Sequence, residues 1–468
     1  MTALRIGDEP LAPAAVAAAA HAGPLAVVVT PAARERMAAG HATAEAVALR
    51  REVYGRTTGV GANRNVPVRG DLRAHTVRLL RSHAGGLGDP LPPAVVRAMV
   101  LVRLAQMAPG AGGSRPAVAD ALTGLLREES LPLLRDLGGI GTGDLTVLAQ
   151  LGLALADAGA LSIEPGDALP LMSSNAATFA VATLAWADLR DLLDAALGVA
   201  ALTFHALRGN GEAFAAPLAA ARPLSGLAAV SARMRSLISG GAPAARLQDP
   251  FGLRCLPPVA GALHEALGAL HDILAVEINA AAENPFFADG DALHHGGFHA
   301  APCALALDTV RLALVSFAGL STARLSHLMA PRLTGLAPFL AVDEPGASGV
   351  LIAEYLAADA LGRLRAEAMP AVLGAASISR GLEEHASFAW QAAWQTRRAA
   401  DQLRTVLALE WIVAERALRM GGVEVPALLR PARALLAVLD PSLEDRPIGD
   451  DAALASGALD ALAAIVRA

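Results

Sequence analysis

Apolar residues recur at three- and four-residue spacing through long stretches of the chain, most clearly at Arg254–Ala282, Ala304–Leu328 and Ala386–Met420. That period puts them on one stripe of an α-helix, and the stretches are longer than ordinary globular helices. The pattern predicts a bundle of long helices buried against one another and against other subunits. Nearer the N-terminus the period changes. Leu25–Val29 is a short unbroken apolar run, read as a strand, and Thr30 then caps a helix whose first position is Pro31, where a missing N–H costs nothing. The expected architecture is all-α, with a smaller mixed N-terminal region over residues 1–165 and a long-helix bundle over 166–468.

Polar, glycine-bearing stretches interrupt this pattern at Tyr54–Arg69, Ser82–Pro90, Gly138–Asp144, Gln248–Pro258, Asn284–His299 and Leu333–Gly349. A bundle with such interruptions is a scaffold that gathers a site from loops. In "GGIGTGDLTVLAQLGLAL" (Gly138–Leu155) the turn Gly141-Thr142-Gly143-Asp144 opens an apolar helix. Thr142 or Asp144 could supply its cap, whereas the clustered glycines point to a tight bend or a reactive centre.

Composition narrows the chemistry. The 468 residues are 54% hydrophobic, enough for a large core. Every basic residue in the Lys+Arg count of 38 is arginine, which excludes a Schiff-base lysine and a P-loop lysine. A net charge of −6 without basic runs gives no footprint for nucleic acid. Cys255 and Cys303 make no disulfide framework, in keeping with a cytoplasmic protein. Mean hydropathy is +0.45. No membrane partner is expected even so: the apolar run at Leu11–Pro31 follows Asp8 and Glu9 and is split by His21, Gly23 and Pro24, and Val95–Leu104 is broken by Arg97 and Arg103.

"YGRTTGVGANRN" (Tyr54–Asn65), "SHAGGLGDPL" (Ser82–Leu91), "GTGDL" (Gly141–Leu145), "LQDPFGLRCLPPVAGA" (Leu247–Ala262), "VEINAAAENP" (Val276–Pro285), "GGFHA" (Gly296–Ala300) and "LEEHAS" (Leu382–Ser387) follow one another along nearly the whole chain. In order and rough spacing they resemble the histidine/phenylalanine ammonia-lyase family, and the chain's extent is similar to the shorter bacterial histidine type. The resemblance implies an all-α fold with a central long-helix bundle, and a homotetramer whose active sites draw residues from three subunits.

In that family an Ala-Ser-Gly tripeptide before Asp-Leu cyclises and dehydrates into a methylidene-imidazolone (MIO), which captures the substrate amine. Here the tripeptide is Gly141-Thr142-Gly143, followed by the matching Asp144 and Leu145. Dehydrated threonine would carry a methyl on the electrophilic carbon, hindering attack. The family's Asn in Leu-Asn-Gly-Thr aligns with Ser173, leaving Asn175 two positions later; its Tyr in Asp-Pro-Tyr is Phe251; its Asn in Gly-Gly-Asn-Phe-His is Gly297. These changes imply that the usual electrophile is absent or altered, so no cofactor is expected beyond a possible modification of Gly141-Thr142-Gly143.

Other implied roles remain. Tyr54 matches the family's base, whose ordinary pKa near 10 would have to be lowered by Arg56, Arg64 or a helix terminus. Arg254 matches the carboxylate clamp, a task suited to a planar fork. Gln248 and Phe298 match residues lining the site. His83 and Glu383 match the pair that marks imidazole substrates, where a histidine and a carboxylate together satisfy both ring nitrogens. Simpler roles stand beside these: an anchoring loop Tyr, an arginine ion pair, a Gln248 cap, a helix-ending His83 and a Glu383–Arg380 pair. Asn279 and Asn284-Pro285 match family positions too, though a turn explains them equally. "HHGGFH" (His294, His295, His299) lacks the carboxylates or cysteines of a metal site, so no metal is expected.

A quaternary nitrogen has no lone pair for an electrophile and leaves more readily than ammonia. The leading expectation is therefore a lyase that eliminates an amine from histidine or a histidine-derived betaine or thiol-histidine without a standard MIO, similar to the family's ergothioneine trimethylamine-lyase branch. Two alternatives stay open: ammonia elimination from histidine by a modified electrophile, and a non-catalytic ligand-binding homologue.

Overall fold

The computed structural model describes residues 3–468, and they are mostly helical as the periodicity requires. The chain forms two compact units. The first takes Met1–Ala187, Leu270–Asp308 and Pro370–Trp394, and the second takes Asp188–Ala269, Thr309–Met369 and Gln395–Ala468.

In the first unit, strand Leu4–Ile6 pairs in parallel with Val27–Val29. Helix Pro31–Ala48 begins as its sequence dictates: Thr30 Oγ1 accepts from Ala33 N, with proline at the first position. Helix Pro93–Met107 is buried from Val95 to Met107, arginines included. Arg103 reaches Glu283 at 2.7 Å, with the two side chains only 1% and 3% exposed. The charges that interrupt this apolar stretch are thus internal, as a helix buried on every side demands. A short antiparallel hairpin, Phe286–Ala288 with Asp291–Leu293, precedes the "GGFHA" loop.

In the second unit, parts of the Ala176–Ala206, Ala301–Leu328 and Ala389–Met420 helices enclose a buried polar core. Glu410 there accepts two hydrogen bonds from Arg324, at 2.7 and 2.8 Å, and one each from Thr203 and Ser321.

The long apolar segments end close to their expected limits, at Leu256–Glu277, Ala301–Leu328 and Ala389–Met420. By length and composition, Ala168–Ala206, Leu256–Glu277 and Ala301–Leu328 could cross a membrane; their most apolar windows are 100%, 39% and 56% buried within the chain.

Candidate active site

Helix Leu145–Asp157 starts where the glycine turn ends, yet neither Thr142 nor Asp144 caps it with a side chain. The carboxylate of Asp144 turns instead to the next long helix and accepts from Thr178 N at 2.7 Å and Thr178 Oγ1 at 2.8 Å. It is fully buried, and burial pushes its pKa up to about 6 against the hydrogen bonds that favour the anion. A folded-state pKa above the unfolded value means that folding stability falls as pH rises from about 4 to about 6, where only the unfolded chain has ionised. Asp144→Asn removes that dependence. Between pH 5 and pH 8 the wild type should lose about 1 kcal/mol more than the variant in denaturant titrations, and parallel curves would refute the assignment.

The tripeptide before Asp144 is clamped from several directions. Gly143 N donates to Asn175 Oδ1 at 2.9 Å, and Asn175 Nδ2 donates to Phe298 O. Gly141 O accepts from Ser387 Oγ at 2.7 Å and from Ala300 N at 3.3 Å. Gly141 has φ +76°, and a Cβ there would meet Ser387 Oγ at 2.1 Å and Ala389 N at 2.6 Å. Asn175, rather than Ser173, reaches the turn. Ser173 is buried as the C-cap of the short helix Ala168–Met172.

Tyr54 lies in the first glycine-rich loop. Its Oη accepts from Gly61 N at 2.8 Å. Gly61 has φ +55°, and a Cβ there would lie 2.5 Å from Ser379 Oγ and 3.2 Å from Glu383 Oε1, so glycine permits a close approach of the Tyr54 loop to the Glu383 segment. Ser379 Oγ also accepts from Ala62 N at 2.8 Å. Burial raises the Tyr54 pKa above its usual 10; the Gly61 N–H opposes this, Glu383 adds to it and Arg64 subtracts. Burial outweighs the lowering by Gly61 N–H and Arg64, and Arg56 adds none, since it turns away to Glu45 and the Gly113 carbonyl.

His83 ends helix Leu72–His83, and its Nδ1 lies 2.8 Å from Leu79 O and 3.0 Å from Ser82 Oγ. A carbonyl only accepts, so Nδ1 carries the proton and Nε2 of the neutral ring is an acceptor. The "HHGGFH" histidines separate. His294 Nε2 accepts from Tyr54 N, His295 Nε2 donates to Glu283 O, and His299 pairs with His385 at 3.0 Å. Among the described residues no group of three His, Cys, Asp or Glu could hold a metal. Asn279, in the turn after helix Leu256–Glu277, bonds both backbone groups of Leu11, and Asn284 Oδ1 accepts from His295 N.

Gln248, Phe251 and Arg254 belong to the second unit and gather there. Arg254 Nη1 donates to Gln248 Oε1 at 2.8 Å, and its guanidinium carbon lies 4.7 Å from the Phe251 ring centre. Arg254 Nε is buried without a partner among the described residues. A cavity of about 370 Å³ opens beside Gln248 and Arg254, lined also by Asn210 and Asp249.

His385 and Ser387 were not singled out by sequence reasoning. The signal available was their alternation with Glu383 in "EEHAS", which puts all three in one segment of contacts with the site.

Residues 11–439 match the family model described as aromatic amino acid lyase. Histidine ammonia-lyase of Geobacillus kaustophilus is 35% identical over 410 residues, 81% of each chain. The enzyme of that name from Symbiobacterium thermophilum is 33% identical, with 100% of this chain and 97% of the relative covered. Among solved structures, tyrosine aminomutase from Streptomyces globisporus has a TM-score of 0.92 at 25% identity, covering 100% of this chain and 98% of its own. Ergothionase from Treponema denticola, in complex with desmethyl-ergothioneine sulfonic acid, has a TM-score of 0.91 at 23% identity over 98% and 99%, a likeness of fold. The chain belongs to the aromatic amino acid lyase family, a family of carbon–nitrogen lyases.

Proposed function

We propose that the chain eliminates an amine from histidine or a histidine-derived betaine or thiol-histidine, giving an imidazole acrylate, without a standard MIO group. One observation carries this reading: the nitrogen that ring closure would consume, Gly143 N, is spent as an N–H donor to buried Asn175 Oδ1. Cyclisation removes that hydrogen and strands a buried acceptor. The alanine of the family's tripeptide also has no space at Gly141, where Ser387 Oγ stands in the way of a Cβ. The residues present do not fit the family's group, and no step is drawn through it.

Elimination then rests on charge and proton transfer. Tyr54, as phenolate, takes a proton from the carbon next to the one bearing nitrogen; the C–H pair forms the double bond, and the C–N pair leaves with the amine. A quaternary ammonium leaves neutral and needs no activation. Its positive charge also favours the phenolate, offsetting the burial and the Glu383 carboxylate that hold Tyr54 protonated. Glu383 accepts from one imidazole N–H, His83 Nε2 accepts from the second N–H that the thione or imidazolium form of the ring carries, and Arg254 with Gln248 grips the carboxylate. We place this chemistry in a homotetramer, whose contacts cover the exposed apolar faces of Leu256–Glu277 and Ala301–Leu328, in a reducing cytosol that suits the free thiols of Cys255 and Cys303.

A second reading has its own support. The Gly141 carbonyl, which ring closure would attack, accepts two hydrogen bonds that polarise it, and the relatives quoted are histidine ammonia-lyases. Intact mass with peptide mapping across Gly138–Leu155, followed by a screen of histidine and its betaines for acrylate absorbance, decides. An unmodified chain that forms acrylate is the expected result. Loss of two waters at Gly141–Gly143 would establish the second reading, and an unmodified chain without turnover would overturn both.

A further inference from the structure

A tyrosine that acts as phenolate needs a donor held steadily on its oxygen. For Tyr54 Oη that donor is Gly61 N, at 2.8 Å. It belongs to a single tight helical turn, Gly61–Asn63, closed by Asn63 N donating to Val60 O and Arg64 N donating to Gly61 O. The N–H groups of Gly61 and Ala62 come too early for a partner inside that turn and find acceptors outside it. Gly61 N takes Tyr54 Oη, and Ala62 N takes Ser379 Oγ, also at 2.8 Å. The two peptide planes meet at Gly61, at φ +55°, and glycine has the freest backbone of any residue. The Ser379 hydroxyl therefore ties the loop where it would otherwise swing most.

The element that carries Ser379 is built for this contact. Ser379, Arg380 and Gly381 have φ +54°, +59° and +80°. A serine in the left-handed region is uncommon and persists only where its surroundings hold it. Ile378 and Glu383 close the turn, with Ile378 N donating to Glu383 O at 3.0 Å and Glu383 N to Ile378 O at 3.3 Å. Serine and carboxylate thus sit at the two ends of one small turn.

The charged groups around Tyr54 are few. Glu383 disfavours the phenolate and Arg64 favours it. His294 accepts from Tyr54 N, its ring centre 6.5 Å from that of Tyr54. Arg56 is paired with Glu45, and Glu283, across a small cavity shared with Tyr54, is paired with Arg103. A hydrogen bond weakens steeply with misalignment, whereas the repulsion from Glu383 falls only in inverse proportion to distance. A loosened loop loses the favourable contact first.

We propose that Ser379 is a positioning residue for the base: by holding Ala62 N–H it keeps Gly61 N–H aimed at the Tyr54 oxygen, and so governs how readily the phenolate forms.

The role rests on the proposed elimination with Tyr54 as base, and a titration that needs no turnover separates the two. The chain has two tyrosines, so the full-length Tyr355→Phe protein, altered at an exposed site, carries Tyr54 alone and its phenolate absorbance can be followed directly. In that background Ser379→Gly removes the hydroxyl yet suits the left-handed backbone, so the turn persists. The Tyr54 titration should move up by about one pH unit, and kcat/KM at about pH 8 should fall roughly tenfold, since less phenolate is present. Circular dichroism recorded alongside reports that the chain stays folded. Ser379→Asn, which tolerates the same backbone and offers a carbonyl acceptor, should bring both back toward wild type. A Ser379 that only stabilised the loop would lower stability without moving the titration. An unshifted titration in Ser379→Gly, or Gly and Asn variants that shift alike, overturns the proposal. A shifted titration in a protein that forms no acrylate upholds the hold on Tyr54 and refutes the elimination instead.

Discussion

Tyr54→Phe should reduce amine elimination by about 10²- to 10⁴-fold, the contribution of a positioned acid–base group, while substrate binding and assembly are retained. The change removes one oxygen and leaves Gly61 N–H without its 2.8 Å acceptor, a local cost of about 1–3 kcal/mol. The loop stays anchored by Ala62 N donating to Ser379 Oγ. The wild-type pH profile gives a second readout. With the free-enzyme pKa above 10, kcat/KM rises with pH through the neutral range and past pH 9, because only the phenolate can act. That limb disappears in Tyr54→Phe. Glu383→Gln removes the negative charge that disfavours the phenolate, so its limb moves to lower pH even as imidazole binding weakens. A Tyr54→Phe enzyme within threefold of wild type would remove Tyr54 from the mechanism.

Local rules read from the sequence succeed where the chain supplies its own partners. Thr30 and Pro31 start a helix because cap and first turn are neighbours, and the three- and four-residue period places the long helices within a few residues of their ends. The rules miss where a partner arrives from far along the chain. Asp144 reads as a cap, yet Thr178 supplies stronger donors, and a buried carboxylate goes where most of its lone pairs are filled. Alignment favours Ser173 over Asn175 at the tripeptide, whereas the structure turns Asn175 to it, since an amide can both accept from Gly143 N and donate to Phe298 O. Tyr54 is legible as a candidate base from the resemblance, but its raised pKa comes from burial and from Glu383, more than three hundred residues away in sequence. His385 shows only its alternation with Glu383 and Ser387, while its partner His299 lies 86 residues away in sequence, beyond any local rule.

Glu410→Ala should cost about 3–5 kcal/mol of stability, because it strands a buried guanidinium. Arg324 and Glu410 are both 0% exposed, and no water can replace the carboxylate's bonds to Arg324 Nε and Nη2. Thr203 and Ser321 lose their acceptor at the same time, adding two unsatisfied hydroxyls. The damage extends to function within the same unit. Arg324 Nη1 donates to Gly252 O at 3.1 Å, in the short helix Phe251–Arg254, and a Cβ at Gly252 would lie 2.9 Å from Arg324 Cγ, so the arginine and that helix are fitted to one another. An Arg324 released from Glu410 loosens the element that carries Arg254, and KM should rise in whatever fraction of Glu410→Ala folds. Replacing both partners by apolar residues, Arg324→Met with Glu410→Leu, recovers much of the stability because no charge is left unpaired, but it deletes the bond to Gly252 and so keeps the KM defect. Chemical denaturation of the single and double variants, with KM measured on each, checks both halves. A single variant within about 1 kcal/mol of wild type would mean that the buried charge finds another partner, and a double variant with wild-type KM would mean that Gly252 needs no anchor.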